Sequence, residues 1–322
     1  MQRMMIPETE LAVSSMGCGC VNGGLKWEGK EADDVFDAFF DLGGNLYDTA
    51  RVYSDWVPTE IGRSERVLGE WISRSGKRNE IVLATKGGHP DMRAKEIDLH
   101  KSRVSREEME YDLDLSLKAL QTDWIDLYFY HRDDTLRPVE ELIETMEGFV
   151  KAGKIRYYGC SNWSTERIKE ADAYCRKMGY RGFAANQMYY NVGSRNKRPS
   201  ADDTMVVMDQ EMLAYHRENP NNLAMPYMGL CSGAFNKWIA LGEDAVKDNE
   251  YYTRENEKVK SQLLKIMEKY HITVTQAVLG FFTCQDFACV PLYGPRNKES
   301  FSEACAAFGI PFEKADYDLH KR

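Results

Sequence analysis

Ile125-Asp126-Leu127-Tyr128-Phe129-Tyr130-His131 is the stretch on which the fold turns. Its apolar and aromatic residues run on without the alternation of a half-exposed strand. It therefore reads as a strand over Ile125–Tyr130, buried on both faces as in a parallel sheet, and it stops on an imidazole. Outward from it, short runs of the same kind recur at Ser14–Cys18, Asn45–Tyr47, Ile81–Thr85, Tyr157–Cys160, Ala184–Gln187, Leu223–Pro226 and Cys289–Leu292.

Amphipathic helical patterns lie between these runs. Glu31–Leu42 closes on Gly43-Gly44, and Ser64–Arg74 closes on Gly76. Ser105–Leu120 opens with Ser105 and Glu108 at capping-box spacing, while Pro138–Ala152 has proline in its first turn and Gly153 past its end. Ser164–Met178 ends at Gly179, and Asn256–Tyr270 with Thr273–Thr283 forms a late helical pair. Eight strands alternating with helices predict an α/β protein built as a closed (β/α)8 TIM barrel, with a doubly wound open sheet as the rival. No linker or low-complexity stretch divides the chain, so 1–322 reads as a single barrel domain. Long loops follow strand six (Met188–Asp203) and strand seven (Met228–Glu255), where a barrel builds or covers its site.

Composition narrows the function classes. Of 322 residues, 43% are hydrophobic and 29% charged, the mix of a globular protein with a full core. No apolar run approaches the roughly 20 residues of a membrane span. The opening Met1–Pro7 lacks a secretory pattern, and eight cysteines without a C-x-x-C read as reduced thiols, so a cytoplasmic protein is expected. The net charge of −9 argues against nucleic acid as a partner; the basic run Arg195-Asn196-Lys197-Arg198 reads as a solvated loop. The expected partner is a small molecule, with the chain a monomer or weak homo-oligomer.

In a parallel barrel the chemistry gathers where strands end. Asp48 and Tyr53 follow strand two, Lys86 strand three, His131 strand four, Ser161 and Asn162 strand five, and Gln187 ends strand six. A phenol with a pKa near about 10 is a poor acid at neutral pH. A nearby ammonium lowers that pKa, a carboxylate holds the ammonium, and an imidazole orients a carbonyl oxygen. Such a set protonates an oxyanion as it forms, which is what hydride addition to C=O requires.

Several segments, in order, carry a resemblance. They are Gly44-Asn45-Leu46-Tyr47-Asp48-Thr49-Ala50 with Tyr53, Ala84-Thr85-Lys86, Asp126–His131, Gly153–Asn162, Asn186–Asn191, and Pro291-Leu292-Tyr293-Gly294-Pro295-Arg296-Asn297. From about Ser14 to Phe308 the chain resembles the aldo-keto reductase family. The resemblance implies a nicotinamide-dependent carbonyl reductase in which Tyr53 is the general acid/base. Lys86 and Asp48 would tune it, and His131 would orient the carbonyl. Ser161, Asn162 and Gln187 would hold the nicotinamide carboxamide, with Tyr227 stacked on the ring. Met228-Gly229-Leu230-Cys231-Ser232-Gly233 lies where the family's pyrophosphate loop runs, although it departs from the usual serine-proline-leucine pattern. Gly294, Arg296 and Asn297 would sit at the adenosine end, with Ser300 and Glu303 on the following helix. Arg296 suits a 2′-phosphate, which favours NADP(H) over NAD(H). The loop after strand one would bring Gly19, Cys20 and Val21 to the cofactor.

Other readings compete. Gly17-Cys18-Gly19 with Gly23-Gly24 does not match G-x-G-x-x-G and opens no helix, so a Rossmann site is rejected. His131-Arg132-Asp133-Asp134 suggests a metal, but chain neighbours rarely converge on one ion. No metal is expected; Asp133 and Asp134 are read instead as lining the pocket or capping the next turn, with Asp133 the substrate-pocket candidate. Trp27, Trp56 and Trp163 fall in loops at the barrel mouth. Trp56, three residues after Tyr53, is the pocket candidate, and its aromatic face would suit a sugar or polyol carbonyl. Some members of the family serve as cofactor-binding regulatory subunits of channels, with little turnover; that is the alternative function.

Overall fold

The computed structural model describes residues 1–195 and 202–320, so 196–198 of the basic run and part of the loop after strand six lie outside the described residues. The chain opens with an antiparallel hairpin, β1 (Arg3–Met5) and β2 (Ala12–Ser14). The barrel strands follow: β3 (Gly17–Gly19), β4 (Leu46–Asp48), β5 (Val82–Gly87), β6 (Ile125–Tyr130), β7 (Ile155–Ser161), β8 (Ala185–Gln187), β9 (Leu223–Ala224) and β10 (Leu292–Tyr293). All pair in parallel in the order β10-β3-β4-β5-β6-β7-β8-β9. The ring closes where Ala224 bridges Cys289, with Val290 N donating to Ala224 O at 2.9 Å and Leu292 N to Pro226 O at 2.8 Å. The eight strands thus form a (β/α)8 barrel rather than an open sheet.

The intervening helices are α1 (Gly29–Asp41), α2 (Arg63–Ser75), α3 (Arg106–Leu120), α4 (Val139–Lys151), α5 (Thr165–Met178), α6 (Gln210–Glu218), α7 (Ala234–Leu241), α8 (Arg254–Tyr270), α9 (Val274–Thr283) and α10 (Glu299–Ala306). Start signals act as the sequence predicts. The Ser105 hydroxyl accepts from Glu108 N, and the Glu108 carboxylate accepts from Ser105 N, closing the capping box of α3.

Strand periodicity divides the core in two. Leu46, Val82, Ala84, Leu127, Phe129, Ala185, Leu223 and Leu292 fill the barrel interior, and Ile6, Leu11 and Val13 of the hairpin region plug its amino end. Tyr47, Leu83, Tyr128, Tyr158 and their neighbours pack outward against the helices. The interior is narrow. A Cβ on Gly159 would lie 2.4 Å from both Ala185 O and the Phe129 ring, so only glycine fits that inward position.

Three expectations shift. The first predicted strand, Ser14–Cys18, spans two elements: Ser14 ends β2, its N–H donating to Asn45 Oδ1 at 2.7 Å, and the barrel strand begins at Gly17. The run Leu223–Pro226 shortens to Leu223–Ala224, and Pro226 has no N–H to give a ladder. The last strand's ladder is Leu292–Tyr293, with Cys289 reduced to a single bridge. The sequence reading also lacked α6, α7 and the hairpin.

Candidate active site

The inward positions turn from apolar to polar as the strands reach their carboxyl ends. Leu46 is followed by Asp48, Ala84 by Lys86, Phe129 by His131, and Ala185 by Gln187, each two residues on. Strand periodicity alone therefore aims four polar groups into one mouth.

Lys86 is the hub. Its ammonium donates to Asp48 Oδ1 at 2.6 Å, to the Thr49 carbonyl at 2.8 Å and to Tyr53 Oη at 3.1 Å, which uses all three of its protons. Gln187 Nε2 holds the other Asp48 oxygen at 2.6 Å. Because the Tyr53 oxygen accepts from Lys86, its own proton stays available to a partner in the mouth. Lys86 and Asp48 are each 1% exposed, so the pair is out of water.

Burial and charge pull against one another here. Asp48 and Tyr53 hold the Lys86 ammonium above its ordinary range, outweighing the burial that opposes it. Burial pushes the Asp48 carboxyl up, while Lys86 and Gln187 draw it down. Burial also raises the Tyr53 phenol, with Lys86 as the chief counterweight. The ammonium thus pulls in the expected direction, but burial outweighs it. The expectation of a net lowered phenol is corrected accordingly.

His131 stands beside Tyr53 with ring centroids 5.8 Å apart. Burial, then His89, Arg132 and Lys86, drive its pKa well below the ordinary value, so the imidazole is neutral. Its Nδ1 is buried without a partner among the described residues. A proton on Nδ1 would be a buried donor lacking an acceptor, so the proton is assigned to Nε2.

The residues expected to meet the nicotinamide gather on the next strand ends, but their amides are already engaged. Asn162, at φ +62°, accepts on Oδ1 from Tyr227 Oη (2.5 Å) and Val206 N (3.0 Å). Its Nδ2 donates to Ser161 Oγ (3.0 Å) and the His131 carbonyl (3.3 Å). Tyr227 lies edge-on to Tyr189. In the following loop, Met228, Cys231, Ser232 and Gly233 all have positive φ, and Asn191 Nδ2 anchors the Met228 carbonyl at 3.0 Å. Gly229 passes against Phe282, and Leu230 packs on the core.

At the far end, Gly294 runs beside Gly19, and the Arg296 carbonyl accepts from Trp27 Nε1 at 3.2 Å. The Arg296 side chain is exposed and makes no ion pair among the described residues. Asn297 Oδ1 accepts from Ser300 Oγ at 2.7 Å, and Glu303 lies one turn along α10. Cys20 N donates to the Asp48 carbonyl at 2.8 Å, tying that loop to the tetrad.

Of the pocket candidates, Trp56 is 45% exposed on the Tyr53 loop. Asp133 borders a cavity of about 340 Å³ with Arg132, Leu136, Asn162, Thr204 and Val206, but its carboxylate is held by Arg167 Nε (3.0 Å) and Nη2 (3.2 Å). Trp27 and Trp163 are fully buried and serve packing. Two groups at the mouth, His89 and Arg132, had no role in the sequence expectations. His89 sits 4.7 Å from His131 between ring centroids and is lowered to about 4 by burial and Arg132. Arg132 clamps Asp202 (2.7 Å) and Thr204 (2.8 Å) of the loop after β8. Both lie just past a strand residue that was singled out, Lys86 and His131, and following each strand end a few residues further would have found them.

Comparison with known proteins gives one consistent picture. The family model described as "Aldo/keto reductase family" matches residues 15–321. An uncharacterized oxidoreductase, YrpG, of Bacillus subtilis (strain 168) is 32% identical over 98% of this chain and 93% of its own. An aryl-alcohol dehydrogenase [NADP(+)] of Phanerodontia chrysosporium is 31% identical over 92% of this chain and 79% of its own. A probable voltage-gated potassium channel subunit beta of rice (Oryza sativa subsp. japonica) is 31% identical over 61% of this chain and 57% of its own.

Proposed function

Because the chain belongs to the aldo/keto reductase family, an NAD(P)H-dependent class of carbonyl oxidoreductases, we propose that it reduces an aldehyde or ketone with Tyr53 as the proton donor. One observation carries this reading. The Lys86 ammonium is pinned by Asp48 and the Thr49 carbonyl and spends its last proton on the Tyr53 oxygen.

The chain's own groups divide the work. Neutral His131, with its proton on Nε2, donates to the carbonyl oxygen and fixes its approach. Tyr53 gives its proton to that oxygen as negative charge builds, and Lys86 stabilises the phenolate left behind. Asp48 keeps Lys86 charged and in place. A nicotinamide bound in the mouth would supply the hydride. The residues present fit such a group. The Ser161 hydroxyl and the Asn162 and Gln187 amides lie together at adjoining strand ends, Tyr227 offers a ring, the Met228–Gly233 loop has left-handed backbone, and Arg296 is exposed without an ion pair among the described residues. Asn162 would exchange its bonds to Tyr227 and Val206 for the carboxamide. Arg296, together with the cofactor for which the Phanerodontia relative is named, supports NADP(H) over NAD(H).

A sugar or polyol carbonyl is the substrate we favour, since Trp56 offers an exposed face beside donors and acceptors at the mouth. The test is oxidation of NADPH and of NADH against ketoses, aldoses and aromatic aldehydes, run with Tyr53→Phe in parallel. Turnover in the variant should fall by about 10²- to 10⁴-fold, the usual worth of a general acid, with cofactor binding retained. Unchanged turnover sinks the mechanism; inert sugars beside active aromatic aldehydes sink the substrate class. The rice relative motivates a second reading, a regulatory subunit with little turnover. Among the described residues no helix is long and apolar enough to cross a membrane, so a channel partner would supply the membrane part. Tight NADPH binding without reduction of any carbonyl would favour it.

A further inference from the structure

Behind the sheet, on the opposite face of β5 from Lys86, lies a buried carboxyl that the mechanism does not use. Glu65, in the first turn of α2, has no exposed surface. Its Oε1 accepts from Thr85 Oγ1 at 2.6 Å, and Thr85 is the residue immediately before Lys86. Oε2 has no hydrogen-bond partner among the described residues, and neither has the Ser116 hydroxyl on α3. The residue before it makes the same kind of link. Ser64 Oγ donates to the Cys20 carbonyl at 2.6 Å and lies 2.8 Å from Thr49 Oγ1. Thr49 is the residue whose carbonyl receives Lys86. Two consecutive side chains of one helical turn therefore bolt together three strand ends around the tetrad.

We propose that Glu65 is a positioning residue for Lys86. Through Thr85 it fixes the backbone from which the ammonium projects, and the fix tightens when the carboxyl ionises. The proposal rests on the reading of Lys86 and Tyr53 given above. An ionised carboxylate accepts a shorter and stronger hydrogen bond from a hydroxyl than a neutral acid does. The surroundings place that change in a useful range. Burial raises the Glu65 pKa to about 7, with Thr85 and the Arg51 guanidinium drawing it down and Asp112 pushing it up. Arg51 is itself paired with Asp55 at 3.0 Å, and Asp112 with Arg103 at 2.9 Å. The Tyr128 phenol on β6, raised further by Glu65, completes the groups that face it. A helix first turn favours an anion, but burial prevails over it here.

Glu65→Gln keeps the shape and the acceptor but cannot ionise, whereas Thr85→Val leaves the carboxyl and cuts the link. In the intact chain, kcat should rise through an ionisation near neutral pH. Both variants should lose that limb and show kcat lower by roughly tenfold, within the about 10²-fold that a 1 Å misplacement costs, with KM little changed. A kcat profile identical to the parent in both variants overturns the proposal and marks Glu65 as packing alone.

Two readouts need no turnover. A carboxyl whose folded pKa is raised stabilises the fold below its unfolded pKa, and this is lost as pH rises through about 7. As pH rises from the unfolded value, near about 4.5, to about 7, the melting temperatures of the parent and of Thr85→Val should therefore fall relative to that of Glu65→Gln. A slope shared by all three overturns the titration, and with it the proposal. The Tyr53 phenol, isolated as the absorbance difference from Tyr53→Phe, should ionise at higher pH in both variants, because a displaced ammonium draws it down less. An unmoved phenol also overturns the proposal. A chain inert to every carbonyl, with the phenol shifted as stated, would defeat the reductase reading and uphold the link between Glu65 and Lys86.

Discussion

At the amino end of the barrel interior, Leu46, Val82 and Leu127 pack beneath Ile6, Leu11 and Val13 of the hairpin region. At the carboxyl end the same strands present Asp48, Lys86 and His131 along the same inward line. Neither strand geometry nor parity differs between the two ends. What differs is closure. The hairpin seals one end with apolar side chains, so transfer from water holds it together. The other end is left to loops and to groups that satisfy one another, with Gln187, Asp48, Lys86 and Tyr53 in one chain of hydrogen bonds. One end is built to be stable, and the other carries charge at a cost in stability.

The largest break in this comparison is Lys86→Met. It leaves the Asp48 carboxylate buried without its cation, which should cost about 3–5 kcal/mol of stability. Turnover should fall with it, since the phenolate loses its ammonium. Acidification should restore part of the stability and none of the turnover, because protonated Asp48 no longer needs a cation. Thermal melts across pH with assays alongside check this. A variant as stable as the parent at neutral pH would mean that the pair contributes nothing net.

Leu127→Ala tests the sealed end. A buried leucine in a close-packed interior costs about 2–5 kcal/mol on truncation. Turnover per folded molecule should stay near the parent value, because no group in the mouth touches Leu127 through a hydrogen bond. Urea unfolding beside an active-site titration separates the two quantities. A fall in kcat matching the loss of stability would show that the two ends are mechanically coupled.

The same contrast explains what could be read from the chain. Buried apolar runs announced the strands because both faces of a parallel sheet exclude polar residues. Asp48, Lys86, His131 and Gln187 stood out because each is a polar residue closing such a run. The hairpin was illegible because its strands are three residues each, and Ser14 joins its run to that of β3 without a turn residue between. The helix α6 spans only nine residues and buries Met212, Tyr215 and His216, a face with two polar members that breaks an apolar stripe. Glu65 was invisible for another reason. Nothing in Ser64-Glu65-Arg66 distinguishes a solvated helix start from one pressed against a strand.

Arg296→Ala sharpens the comparison at the rim, where charge is exposed rather than buried. A charge-assisted hydrogen bond to phosphate is worth about 1.5–3 kcal/mol, so the preference for NADPH over NADH should drop by roughly tenfold or more. The Kd for NADH should hardly move. An equal loss for both cofactors would place Arg296 on a group that they share. Stability should be unaffected, since the side chain has no ion pair among the described residues to lose.

The smallest effect expected is a response to acid that separates His131 from its role. Burial lowers His131 far below its ordinary pKa and takes His89 and His216 to about 4. A histidine with a lowered folded pKa gives stability that is present above the unfolded value, near about 6.5, and lost as pH falls toward the folded one. In the Glu65→Gln background the melting temperature should therefore decline on acidification below that point, free of the Glu65 contribution, which has the opposite sign over an overlapping range between about 4.5 and 7. Turnover at saturating substrate should show no imidazole limb over the same range, because His131 stays neutral while folded. His216, held outside the barrel by Asn186 at 3.3 Å and the Asn222 carbonyl at 3.0 Å, makes the internal control. His216→Asn should flatten part of the acid decline in melting and leave every kinetic profile as it was. An acid limb in kcat that persists both in that variant and in Glu65→Gln, where the Glu65 limb is gone, would assign protonation to the mouth and contradict a neutral His131.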